Sequence, residues 1–246
     1  MTDRRNRDVT RAAGAATPAK PTGRGEVDAF LRQLAAMPQP ARAAGTRGRL
    51  LFGMDATASR EPTWDQACHI QGEMFTATQQ LGGLDVKLVF YRGFGELKAS
   101  GWTGSGSELA RLMSGVRCLA GQTQIGSLLA FAANETRKNR IDALVFVGDC
   151  SEENLDDVGA AAGQLGLLGT PVFMFHEGTD GTAERAYRHI ARLTRGAYVR
   201  FDLSSAGELK KLLGAVAAYA AGGRTAMLEY GRREGGAALL LTNQLK

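Results

Sequence analysis

Leu50-Leu51-Phe52-Gly53-Met54-Asp55-Ala56-Thr57-Ala58-Ser59 is the stretch that decides how this chain is read. Its first five residues are apolar without alternation, as in a strand covered on both faces. A carboxylate and two hydroxyls follow, spaced two apart, where such a strand must end. Hard oxygen donors in that arrangement suit Mg²⁺ or Ca²⁺, not a soft metal. Helix capping is a second explanation, because Asp55, Thr57 and Ser59 also suit the N-terminus of a helix starting near Pro62. The choice between them depends on what the rest of the chain adds.

The surrounding sequence alternates between two periods. Strand-like runs fall at 49–54, 85–91, 142–148 and 171–176, with weaker ones at 96–101 and 197–202. Helical patterns lie at 62–81, 106–117, 124–138, 155–168, 182–195 and 205–221. Repeated βα units of this length predict an α/β fold: a doubly wound, mostly parallel, six-stranded Rossmann-like sheet with helices on both faces. Between 85–91 and 96–101 there is room only for the turn Arg92-Gly93-Phe94-Gly95, so that pair must be an antiparallel hairpin with one reversed edge strand. Open α/β sheets bind ligands beyond the carboxyl ends of their strands, where strand order reverses. Two further oxygen donors belong at that edge. Asp149 closes the run Phe146-Val147-Gly148, and Thr123 lies in Gly121-Gln122-Thr123-Gln124-Ile125 just before a helix.

With these residues assembled, the chain resembles the von Willebrand factor A (VWA) domain family and its metal-ion-dependent adhesion site, in the intracellular bacterial type. The family pattern is Asp-x-Ser-x-Ser after the first strand, a distant Thr, and a distant Asp after the fourth strand. Asp55, Thr57 and Ser59 fill the first part, with Thr replacing the middle Ser; Thr123 fills the second and Asp149 the third. Cys150 stands where the family commonly has Gly. The resemblance spans roughly residues 47–221. It implies Mg²⁺, with Mn²⁺ or Ca²⁺ as substitutes, held by the hydroxyls of Thr57 and Ser59 and, in some states, that of Thr123. The Asp55 and Asp149 carboxylates then act directly or through water. One position stays open for an Asp or Glu of a partner protein. The resemblance also implies an adaptor role in a larger assembly, for example beside an ATPase or chaperone.

The domain organisation follows from composition. Residues 1–25 read as a disordered basic tail, 26–46 as a short amphipathic helix with a linker, 47–221 as the VWA domain, and 222–246 as an extension packing back on it. Of the net charge of +5, the tail holds +4, so the body is nearly neutral and no specific nucleic-acid partner is expected. Gly and charged residues interrupt every apolar run before it reaches the roughly 20 residues of a membrane span. Cys68, Cys118 and Cys150 are odd in number and in no C-x-x-C pair, which points to a reducing, cytoplasmic setting.

Other candidates have simpler explanations. An aspartyl-phosphate reading of Asp55 lacks the second carboxylate two residues on, where Thr57 stands. Gly104-Ser105-Gly106-Ser107 lacks the Lys of a phosphate-binding loop, and Ser105 with Glu108 makes a capping box. His176 reads as a structural histidine and Glu177 as a possible rim residue; His69 and His189 have no metal spacing. Cys150 reads as a small filler whose thiol a nearby anion pushes up. Glu152, Glu153, Asp156 and Asp157 suit the first turn of the helix that follows them. The sequence therefore predicts a non-enzymatic, metal-dependent protein-binding module. A metal-dependent hydrolase or phosphatase using Asp55, and a metal-free structural scaffold, stand as alternatives.

Overall fold

The computed structural model describes residues 24–37, 47–65, 68–69, 84–201 and 206–234. Six strands form one sheet: β1 Gly48–Asp55, β2 Leu84–Arg92, β3 Glu96–Ala99, β4 Ala143–Gly148, β5 Val172–Glu177 and β6 Ala197–Phe201. Their order is β3-β2-β1-β4-β5-β6, every pairing parallel except the β2–β3 hairpin at one edge. The chain runs outward from β1 to β3, then returns across β1 to place β4 on its other side. The order thus reverses between β1 and β4, the crevice where sheets of this kind bind ligands.

Helices cover both faces, in agreement with the doubly apolar strands. Alternate residues of each strand face opposite ways. Leu50, Phe52 and Met54 with Val145, Val147, Phe173 and Phe175 join one core, beneath α1 (Arg24–Ala36), α2 (Gly106–Ser114) and α6 (Ala206–Glu234). Leu51, Leu144, Phe146, Val172 and Met174 join the other, beneath α3 (Ile125–Lys138), α4 (Leu155–Leu167) and α5 (Gly181–Leu193). The amphipathic pattern around 26–37 finds its docking surface in the first of these cores. Phe30 of α1 meets Phe173 and Phe175 edge-on, with ring centroids 6.1 and 5.5 Å away.

Two stretches left loosely bounded by the sequence are settled by the structure. The helix expected over 62–81 does begin near Pro62: residues Ala58–Thr63 form a 3₁₀ turn that contains it, and residues 64–65 and 68–69 are α-helical. Most of 66–83 lies outside the described residues, as do 1–23 and 38–46. The segment at 225–230, open between strand and helix, is helical. It follows a break at Gly222 and Gly223 (φ −147° and 68°) within α6. After that break Met227 and Tyr230 are buried in the core, so this part packs back on the body. Residues 235–246 lie outside the described residues.

Two features of this packing set the position of the sheet's functional edge. A Cβ on Gly53 would lie 2.9 Å from Leu128, so glycine in β1 lets α3 press directly on the strand that carries Asp55. Lys87 of β2 then clamps α3 through Glu135, with Nζ 2.7 Å from Oε2, while Lys138 approaches Oε1 at 2.8 Å. Hydrogen bonds from Lys138 and Lys87 hold the Glu135 carboxyl down at about 2, against an ordinary 4.5. A depressed carboxyl pKa stabilises the fold above its unfolded value, and that contribution is lost as pH falls through the folded one. Glu135→Gln is therefore expected to flatten the loss of stability between about pH 4.5 and about 2. Urea unfolding of both proteins across that range checks it; parallel pH curves would contradict the assignment.

Candidate metal centre

Asp55 is the last residue of β1 and is fully buried. Its Oδ1 accepts a hydrogen bond from the Thr57 amide at 2.8 Å, and its Oδ2 accepts one from the Tyr91 hydroxyl at 3.0 Å. The first bond is an Asx turn, which bends the chain sharply out of the strand. It places the Thr57 and Ser59 hydroxyls 3.1 Å apart. Capping does not explain those hydroxyls, because Thr57 at the head of the 3₁₀ turn makes no side-chain cap bond. Their separation does match two adjacent ligands on an octahedral Mg²⁺, about 3 Å for bonds of about 2.1 Å.

Asp149 follows β4 on the other side of the strand-order reversal. One oxygen each from Asp55 and Asp149 and the Cys150 sulfur all lie within 4.8 Å of one another. Asp149 Oδ1 is buried without a hydrogen-bond partner. A buried carboxylate oxygen with no donor is costly unless a cation serves it. Thr123 is tied to the loop that follows Asp149: its Oγ1 accepts from the Glu152 amide at 3.0 Å, and its own amide donates to Glu152 Oε2 at 3.4 Å. This leaves a lone pair on the Thr123 hydroxyl. Hydroxyls, carboxylates and one unserved oxygen at a sheet crevice fit a small divalent cation.

Glu152 and Glu153 do not serve the helix after them, as their position suggested. Asn154 caps α4, accepting from the amides of Asp156 and Asp157. Glu153 instead spans to α3, where its carboxylate accepts from the amides of Ile125 and Gly126. Gln124, at the head of α3, makes no cap bond of its own. The Asp149 loop therefore supplies the missing cap and fixes Thr123 in the same step. Gly121 completes this juncture, since a Cβ there would collide with the Gly93 carbonyl oxygen.

Arg60 is the residue the sequence reading missed. It is 1% exposed and sits directly beneath the ligand loop. Its guanidinium contacts Glu177 Oε2 at 2.8 Å through one terminal nitrogen and 3.2 Å through Nε, and donates to the Asp55 carbonyl at 2.8 Å. Burial opposes its charge, but Glu177, Asp55 and Asp149 together raise its pKa. Asp55 is itself pushed up, by burial first and by Asp149, while its hydrogen bonds to Thr57 and the Arg60 charge act in the other direction. Glu177, read as a rim residue, is thus the counter-ion of a buried arginine. Two signals pointed to it: an Arg right after the ligand run, and a Glu ending an otherwise apolar strand. His176 is buried beside it, its Nδ1 2.9 Å from the Tyr198 hydroxyl, and burial lowers its pKa. This agrees with a structural role.

Breaking this pair from either side leaves a buried charge. Arg60→Ala and Glu177→Ala are each expected to cost about 3–5 kcal/mol of stability. An apolar replacement of both, Arg60→Met with Glu177→Leu, should cost much less than the two single changes added together. Urea unfolding of the four proteins checks this, and single variants as stable as the parent would contradict it.

No family model matches the chain, and no curated protein matches it in sequence. Solved structures do match by shape. A von Willebrand factor type A protein from Catenulispora acidiphila aligns with a TM-score of 0.58 and 15% identity, over 70% of this chain and 43% of that one. The SpRpn10 VWA domain aligns with a TM-score of 0.53 and 12% identity, over 70% of this chain and 95% of that domain. Proximal thread matrix protein 1 from the mussel byssus, described with a zinc-occupied MIDAS motif, gives 0.55 and 12%, over 70% and 46%. The chain spans less than half the length of the first and third of these. At such identities the likeness concerns architecture, and the architecture is that of a VWA-like α/β domain.

Proposed function

We propose that this chain is a non-enzymatic protein-binding module in which a divalent cation, held by Asp55, Thr57, Ser59, Thr123 and Asp149, accepts an Asp or Glu side chain from a partner. The observation that carries the reading is the unserved Asp149 Oδ1 beside Asp55 and the Thr57–Ser59 hydroxyl pair. Mg²⁺ suits the oxygen donors, keeps several waters and leaves a position that a partner carboxylate can fill. When bound, the cation supplies a Lewis-acidic point of attachment. Asp55 and Tyr91 orient the loop, Arg60 holds it from below, and Glu152 fixes Thr123.

The surroundings suit a docking face. Phe94, 80% exposed, stands in the β2–β3 turn, and Leu119, 48% exposed, lies against Gly93 of the same turn. Both belong to the edge of the sheet that carries Asp55. An apolar rim beside a single metal-centred charge contact is a common composition for a protein interface. The phosphatase alternative is disfavoured because Asp55 is buried and both its oxygens already accept hydrogen bonds, so it is poorly placed to attack phosphorus. The proposal extends to a cytoplasmic setting, which suits three unpaired cysteines, and to a place in a larger assembly such as one containing an ATPase or chaperone.

Isothermal titration of the full chain with Mg²⁺ or Mn²⁺ is expected to give one site, absent in Asp55→Ala and weakened in Thr57→Ala and Asp149→Ala. Equal heats in parent and Asp55→Ala, or none in the parent, would refute the metal reading. Generic phosphate esters are expected to show no turnover in the presence of either ion.

A further inference from the structure

Cys150, which the sequence suggests is a small filler, stands beside both carboxylates of the candidate centre. Its sulfur lies in the same donor group as the Asp55 and Asp149 carboxylates, each donor atom within 4.8 Å of the others. Its backbone is pinned from the core side: the Tyr187 hydroxyl donates to the Cys150 carbonyl at 2.8 Å, and Tyr187 is fully buried against Phe146 and His176. Neither Cys68 nor Cys118 belongs to a comparable donor group among the described residues.

A sulfur among oxygen donors changes which ion the site prefers. Mg²⁺ and Ca²⁺ take oxygen and gain little from sulfur, whereas Zn²⁺ and its borderline relatives bind thiolate strongly. Tetrahedral Zn²⁺ with Zn–S of about 2.3 Å and Zn–O of about 2.05 Å sets S···O at about 3.6 Å, inside the 4.8 Å that bounds the separation of these donors. On a four-coordinate ion two carboxylates and one thiolate make three ligands, so the Thr57, Ser59 and Thr123 hydroxyls that would serve Mg²⁺ are not needed and a fourth position stays open.

We propose that Cys150 is a metal ligand that turns this site from an Mg²⁺ site toward one selecting Zn²⁺ and similar borderline ions. This rests on the reading that the site holds a divalent cation, and it names the ion. On binding, the Cys150 S–H bond breaks, its proton passes to solvent and the sulfur lone pair forms the bond to the metal. The open position can still receive the partner's carboxylate.

Co²⁺, a spectroscopic stand-in for Zn²⁺, tests this in the full chain carrying Cys68→Ser and Cys118→Ser, compared with the same chain also carrying Cys150→Ser. The first is expected to show a thiolate-to-cobalt charge-transfer band in the near ultraviolet, and the second none. Titrations with Zn²⁺ and Mg²⁺ should show the ratio of affinities falling by at least about 100-fold in Cys150→Ser, since even an outer partner of a ligand is worth roughly 10- to 100-fold. The change in the ratio is the readout, because Zn²⁺ outbinds Mg²⁺ at most sites. Co²⁺ binding without the band, or an unchanged ratio, would overturn the role of Cys150 while leaving the cation site standing. Failure of every ion to bind would overturn the cation site itself. If Cys150→Ser does not fold, the band in the chain that retains Cys150 decides the matter.

Discussion

Two carboxylates, Asp55 and Asp149, are brought together at the end of adjacent strands, and the surrounding structure is organised to tolerate them. Burial, and to a lesser degree the Asp149 charge, favour protonation of Asp55. Arg60 opposes this from beneath and is itself balanced by Glu177 at the end of β5. The Thr57 amide and Tyr91 hydroxyl occupy the Asp55 oxygens, so that side chain is fixed in place. Asp149 Oδ1 receives no such help. The imbalance is local, and it lies where the strand order reverses.

The same logic connects fold to function. Gly53 lets α3 press on β1, Glu153 caps α3 from the Asp149 loop, and Glu152 holds Thr123 in reciprocal bonds. Three loops distant in sequence are thereby locked into one rigid rim. A rigid set of donors needs little reorganisation to accept a cation, so more of the binding free energy remains for the partner. Phe94 and Leu119 add apolar surface at the same edge.

Much of this was legible in the sequence because it depends on short-range patterns. The doubly apolar runs marked the strands, and the turn Arg92-Gly93-Phe94-Gly95 left room only for a hairpin, which β2 and β3 form. Asp55, Thr57 and Ser59 stood out by their spacing. What could not be read depends on contacts between distant segments. Arg60 and Glu177 are 117 positions apart, so although each stands at a suggestive place in the sequence, nothing local pairs them. Glu153 looked like a first-turn residue of α4, because charge beside a helix start is ambiguous until the other helix is in place. Nothing local in the sequence puts the Cys150 sulfur beside both carboxylates, because Asp55 and Asp149 meet only once β1 and β4 pair.

A crystal of the full chain soaked in Mn²⁺ tests the central claim most directly, through anomalous scattering. The account predicts one strong peak between β1 and β4, within bonding reach of the Thr57 and Ser59 hydroxyls and of Asp149 Oδ1. A map with no peak there, or with the ion bound only elsewhere on the surface, would contradict it.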